Sequence, residues 1–89
     1  MTLQQLRYVI RAADSRSMNE AAKALYISQP SLSEAIKELE KEIGIELFKR
    51  SSHGTVLTPE GEEFLGYARQ VTEQSEEETP LNIQLTKLA

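Results

Sequence analysis

The sequence contains no cysteine, so neither a disulfide framework nor thiolate metal ligation is open to it. Its one histidine, His53, has no second histidine or cysteine to complete a metal set, and it supports no serine–histidine–acid arrangement. No apolar run approaches the length of a membrane span or a signal-peptide core. Eighty-nine residues hold one small core, with little room for a deep catalytic pocket. These absences disfavour an enzyme and lead us to expect a soluble, cytoplasmic domain without a cofactor.

A basic excess is missing as well. The chain totals −4, yet through Pro59 it carries eight Lys or Arg against seven Asp or Glu, and from Glu60 onward two against seven. The acidity belongs to the C-terminal third. A near-neutral head meeting a polyanion makes few phosphate contacts, so one copy would bind nucleic acid modestly and two are expected to act together.

What is present centres on Ser17 to Glu42. Ser17, followed three residues later by Glu20, is a capping-box signature, and Met18, Ala21, Ala22 and Leu25 share one stripe of a short helix. The small alanines let a second helix cross closely. Tyr26, Ile27 and Ser28 form the turn. Ser28 is an N-cap type, and Pro30 falls in the first turn of a helix starting at Gln29, where a missing N–H costs nothing. Leu32, Ile36, Leu39 and Ile43 make that helix's buried seam, while Gln29, Ser33 and Lys37 lie on an outward stripe with Pro30, Ser31 and Glu34 beside it. A short helix, a tight turn and a second helix that is polar and uncharged at its outward start form the pattern of a helix-turn-helix that reads DNA.

Upstream, Thr2 with Gln5 makes another capping box. Leu3, Leu6, Ile10 and Ala13, with Tyr8 and Val9 beside them, predict a helix to about Ala13 that completes a three-helix core. Downstream, Gly44 ends the motif's second helix, Leu47 and Phe48 return to the core, and Lys49 to Val56 reads as a hairpin with Gly54 at its tip. Thr58 and Pro59 open a further helix as N-cap and first residue, with Phe64, Leu65, Ala68 and Val71 on its apolar side. The stripe fades after Val71. Glu76, Glu77 and Glu78 read as a solvated face, and Thr79 and Pro80 disfavour more helix. Beyond them Leu81, Ile83 and Leu85 alternate as in a strand, while Leu81, Leu85 and Leu88 fit a helical face, so residues 79–89 are left unassigned.

The stretch AAKALYISQPSLSEAIKELEKEIGIELFKRSSHGTVLTPEG resembles the N-terminal DNA-binding domain of LysR-type transcriptional regulators. The resemblance rests on Ala21 and Ala22, on Ser28 with Gln29 and Pro30, and on Ser33, Leu39 with Glu40, and Gly44. It continues through Leu47 with Phe48 and Arg50, and Leu57 with Thr58 and Gly61. It covers roughly the first 70 residues without a gap, and signatures in order across helix, turn, wing and following helix make chance agreement improbable.

The resemblance implies that the hairpin is a wing lying along the minor groove or backbone, where Arg50 makes contact. His53 stands where the family commonly shows arginine, so a contact there would weaken as pH rises past the histidine pKa. In the recognition helix, Gln29 can offer its amide bidentately to adenine, Ser33 a hydroxyl, and Pro30 an apolar contact to a thymine methyl. Ser28 and Ser31 can reach phosphates at the helix N-terminus. Taken alone, Gln29 and Ser31 would read as solvated first-turn residues; Lys37 fits equally a phosphate contact and a surface ion pair with Glu34. Glu34 departs from the basic or amide residue common in the family. Its carboxylate repels phosphates but can accept from a cytosine N4 amine.

The fold expected is mainly α: a three-helix winged helix-turn-helix over residues 1–58, with the motif at about 18–37 and the wing at about 49–57, then a linker helix over 59–78. Phe64, Leu65, Ala68 and Val71 are expected to form a homodimer that reads an interrupted inverted repeat in double-stranded DNA, with no small-molecule effector site in the chain. The alternative is a dimerising protein-interaction module that binds DNA weakly, favoured by the near-neutral head, Glu34 and His53.

Overall fold

The computed structural model describes residues 1–52 and 54–77. Its elements run α1 (Leu3–Asp14), α2 (Met18–Leu25), α3 (Gln29–Ile43), β1 (Phe48–Ser51), β2 (Gly54–Leu57) and α4 (Pro59–Glu77). A hydroxyl precedes each helix. Thr2 Oγ1 accepts from the Gln5 N–H at 3.1 Å while the Gln5 side chain accepts from the Thr2 N–H at 2.8 Å, closing the full capping box. At Ser17 only the hydroxyl half forms, accepting from the Glu20 N–H at 3.1 Å. Ser28 accepts from the Ser31 N–H at 3.2 Å, and Thr58 from the Gly61 N–H at 2.9 Å. At its far end α3 stops at Gly44, whose φ of 72° is a left-handed conformation that carries no steric penalty without a Cβ.

The core lies where α1, α2 and α3 meet. Val9, Ala21, Leu32, Leu39 and Leu47 have no exposed surface, and Ala22 is nearly as enclosed. The two alanines of α2 bring its backbone close to its neighbours, as their size allows. One expectation is corrected in α1. Its buried side runs Leu6, Val9 and Ala12, with Ala13 only half-buried, because α1 packs against α4 as well as α2 and α3. Periodicity locates a stripe, whereas a third neighbour rotates which flank of it is covered.

Helix α4 lies on α1. Ala68 is fully buried and Thr72 nearly so, with the Thr72 hydroxyl donating to the Ala68 carbonyl at 3.0 Å. Phe64 and Leu65 pack, partly buried, against the core. Arg69 reaches Asp14 at 2.6 Å across the two helices, a half-exposed pair that contributes little to stability.

The hairpin pairs Phe48 with Leu57, Lys49 with Val56, Arg50 with Thr55 and Ser51 with Gly54. Gly54, expected at the tip, instead begins β2, where it pairs with Ser51. A lone two-stranded ribbon is marginal in water. Its base is held by buried Leu47, whose carbonyl accepts from the Thr58 N–H at 2.9 Å. Among the described residues no helix is long and apolar enough to cross a membrane.

Candidate nucleic-acid interface

An open groove runs between α3 and the hairpin. Gln29, Ser33 and Lys37 line it from α3, Lys49, Arg50 and Thr55 line it from the hairpin, and Asn19 closes one end from the start of α2. Ile36 and Phe48 form its apolar floor, with Glu40 and Glu46 at its edge. Lys37, Lys49 and Arg50 are exposed and make no ion pair among the described residues, since the two pairs found there are Met1 with Glu42 and Arg69 with Asp14. Glu34 and Lys37, one turn apart, leave unmade the ion pair their spacing permits.

Polar side chains at the start of α3 are already ordered. The Gln29 side chain donates through Nε2 to Ser33 Oγ at 2.7 Å in a half-buried setting. Ser28 Oγ donates to Ser31 Oγ at 2.8 Å while capping α3, so both hydroxyls are bonded to each other at the helix start. Thus Gln29, Ser33, Lys37 and Arg50 share one surface. Ser31 and Glu34 do not line it: they border a shallow surface with Thr2 and with Gln4 and Tyr8 of α1, and Glu34 also lines a second surface along α3 with Lys37. Pro30 is exposed at the start of α3. His53 and residues 78–89 lie outside the described residues.

Two residues that the sequence pattern did not single out as contacts stand at this surface. Lys49 and Asn19 line the groove. Alternation along β1 would send Lys49 to the face opposite Arg50, so neither Lys49 nor Asn19 follows from the sequence pattern. Tyr26, in the turn before α3, is 94% exposed and left-handed, with its N–H held by the Ala22 and Lys23 carbonyls. A tyrosine in that conformation is uncommon and is held in place by this turn geometry.

The hairpin base is fixed to α3 by Glu40. Its Oε2 accepts from the Leu47 N–H at 2.7 Å and from the Phe48 N–H at 3.2 Å, and its backbone carbonyl accepts from Gly44 and Ile45. One residue therefore ends α3 and sets where β1 departs from it.

A family model described as "Bacterial regulatory helix-turn-helix protein, lysR family" matches residues 3–62. The chain is 52% identical over 64 residues to the HTH-type transcriptional regulator BudR of Klebsiella aerogenes, a match covering 72% of this chain and 45% of BudR. It is 44% identical over 73 residues to the HTH-type transcriptional regulator TfdS of Cupriavidus pinatubonensis, covering 82% of this chain and 25% of TfdS. The chain thus spans a quarter to a half of the length of these relatives. Its fold superposes on the BenM DBD in the complex with benA site 1 DNA with a TM-score of 0.86 and 35% identity, covering 97% of each chain. The CbnR DBD in its DNA complex gives a TM-score of 0.86 at 34% identity, covering 97% of this chain and 99% of that one.

Proposed function

The chain belongs to the lysR family of bacterial regulatory helix-turn-helix proteins, and from that premise we propose that it binds double-stranded DNA sequence-specifically as the reading part of a transcriptional regulator. Helix α3 enters the major groove and the hairpin braces on the adjacent minor groove or backbone. The observation that carries this reading is the one open groove shared by Gln29, Ser33 and Lys37 of α3 and Lys49 and Arg50 of the hairpin, whose cations make no ion pair among the described residues. Residues 1–58 serve as the reading domain and α4 as the linker.

Two copies assemble through α4 and read an interrupted inverted repeat, as the near-neutral head requires for useful affinity. Ala68 is enclosed within the chain and offers no surface to a partner. The contact therefore falls to Tyr67, which is half exposed, and to what Phe64, Leu65 and Val71 leave uncovered. The site of action is the cytoplasm.

Base reading and backbone contact separate in one experiment. On a duplex enriched from a random pool, Gln29→Ala is expected to cost about 1 to 3 kcal/mol and to change little on unselected DNA. Arg50→Ala is expected to weaken both together. Equal loss on both duplexes for Gln29→Ala would remove it from base reading.

Glu40 and Glu46 at the groove edge favour a second reading, a dimerising interaction module with weak DNA affinity. A salt titration on unselected duplex decides between the two. Three free cations per protomer predict a log–log slope of about −3 per protomer, whereas a module that does not engage phosphates gives a slope near zero.

A further inference from the structure

The bond between Gln29 and Ser33 bears on how a base would be read. A carboxamide has two N–H donors and one carbonyl acceptor, and its edges are related by a half-turn about the terminal bond. A glutamine free to rotate presents either edge, and so can offer its donor and acceptor in either order. Here Nε2 donates to Ser33 Oγ at 2.7 Å, one helical turn further on and half-buried, which holds the carboxamide beside the helix; because a hydroxyl both donates and accepts, the contact fixes the place of the amide and not which edge it presents. The remaining N–H and the carbonyl are left as one donor and one acceptor, the pair that adenine N7 and N6 require. A second effect adds to this. Long polar side chains lose rotamer freedom on binding, and one already ordered loses less.

We infer that Ser33 is a positioning residue for Gln29: its hydroxyl holds in place the carboxamide with which Gln29 selects its base, rather than reading a base of its own. The inference rests on the DNA-binding reading above and deepens it. Gln29 and Ser33 are both half-buried and line the same groove, Gln29 in the first turn of α3 and Ser33 one turn further on.

The test uses the full 89-residue chain and duplexes that it enriches from a random pool, with each base pair then substituted singly. Wild type, Gln29→Ala, Ser33→Ala, Ser33→Thr and the Gln29→Ala/Ser33→Ala double variant are compared, with thermal unfolding to confirm that each is folded. Ser33→Ala is expected to lower the preference at the same base pair as Gln29→Ala, by roughly 3- to 10-fold. The double variant should lose no more there than Gln29→Ala alone, and Ser33→Thr, which keeps the hydroxyl, should retain the preference. A loss at a different base pair would make Ser33 a reader in its own right and overturn the inference, as would an unchanged preference at every pair. If Gln29→Ala itself alters no preference, the failure lies with the base-reading role of Gln29, and the two outcomes are told apart by that single variant.

Discussion

Replacing Gly61 with alanine is expected to destabilise the chain by about 3 kcal/mol, read as a lower urea midpoint with an unchanged slope. The cause is contact, not conformation. A Cβ at this position would stand 2.2 Å from the Leu47 carbonyl oxygen and 2.9 Å from Leu57 Cδ2. The nearer atom is backbone, and it cannot rotate away. That carbonyl also accepts from the Thr58 N–H at 2.9 Å and the Thr58 hydroxyl at 3.3 Å, so moving it disturbs the cap that starts α4 and the residue that leads into β1. Gly66 provides the internal control. On the same helix, with nothing within 4 Å of its would-be Cβ, Gly66→Ala is expected to stabilise by about 0.5 to 1 kcal/mol through helix propensity alone. A Gly61→Ala variant within about 0.5 kcal/mol of wild type would show that the α4–Leu47 junction yields without cost.

The contrast between these two glycines marks where the sequence is legible. Thr58, Pro59 and the glycine two residues beyond are visible in the chain as a helix start. That the glycine is required depends on Leu47, 14 residues earlier, arriving against it. Local chemistry was readable throughout: the hydroxyl caps at Thr2, Ser17, Ser28 and Thr58 act on neighbours three residues away, and Leu32, Ile36 and Leu39 face inward as their spacing predicts. What spacing could not supply was the position of a partner element. Ala12 instead of Ala13, the enclosure of Ala68, and the turning of Ser31 and Glu34 toward α1 all follow from how α1 sits against the rest. The groove itself belongs to the same class. Gln29 and Arg50 can be named from the chain, but Lys49 joins them only once the hairpin has folded back beside α3, and Asn19 only once α2 has packed there.

Glu40→Ala is expected to cost about 2 to 3 kcal/mol in stability, because two backbone N–H groups, those of Leu47 and Phe48, lose a charged acceptor in a half-buried position. The same change is expected to misplace the wing. Without the carboxylate, β1 is joined to α3 only through the turn at Gly44 and the Leu47 packing, and the geometry that brings Arg50 opposite Gln29 is lost. Charge acts in the opposite direction, since removing an acidic group from the groove edge raises affinity for a polyanion. Glu40→Gln separates the two effects: it removes the charge as alanine does, yet its amide oxygen can accept from the two N–H groups that share Oε2. Glutamine should therefore fold within about 1 kcal/mol of wild type and bind duplex at least as tightly, while alanine binds more weakly than glutamine. In the alanine background, Arg50→Ala should cost less than it does in wild type, because a displaced wing no longer delivers that guanidinium to the groove. If alanine and glutamine instead bind alike and Arg50→Ala costs the same in every background, Glu40 matters to DNA only as a charge, and the wing finds its place through the apolar contacts of Leu47 and Phe48 alone.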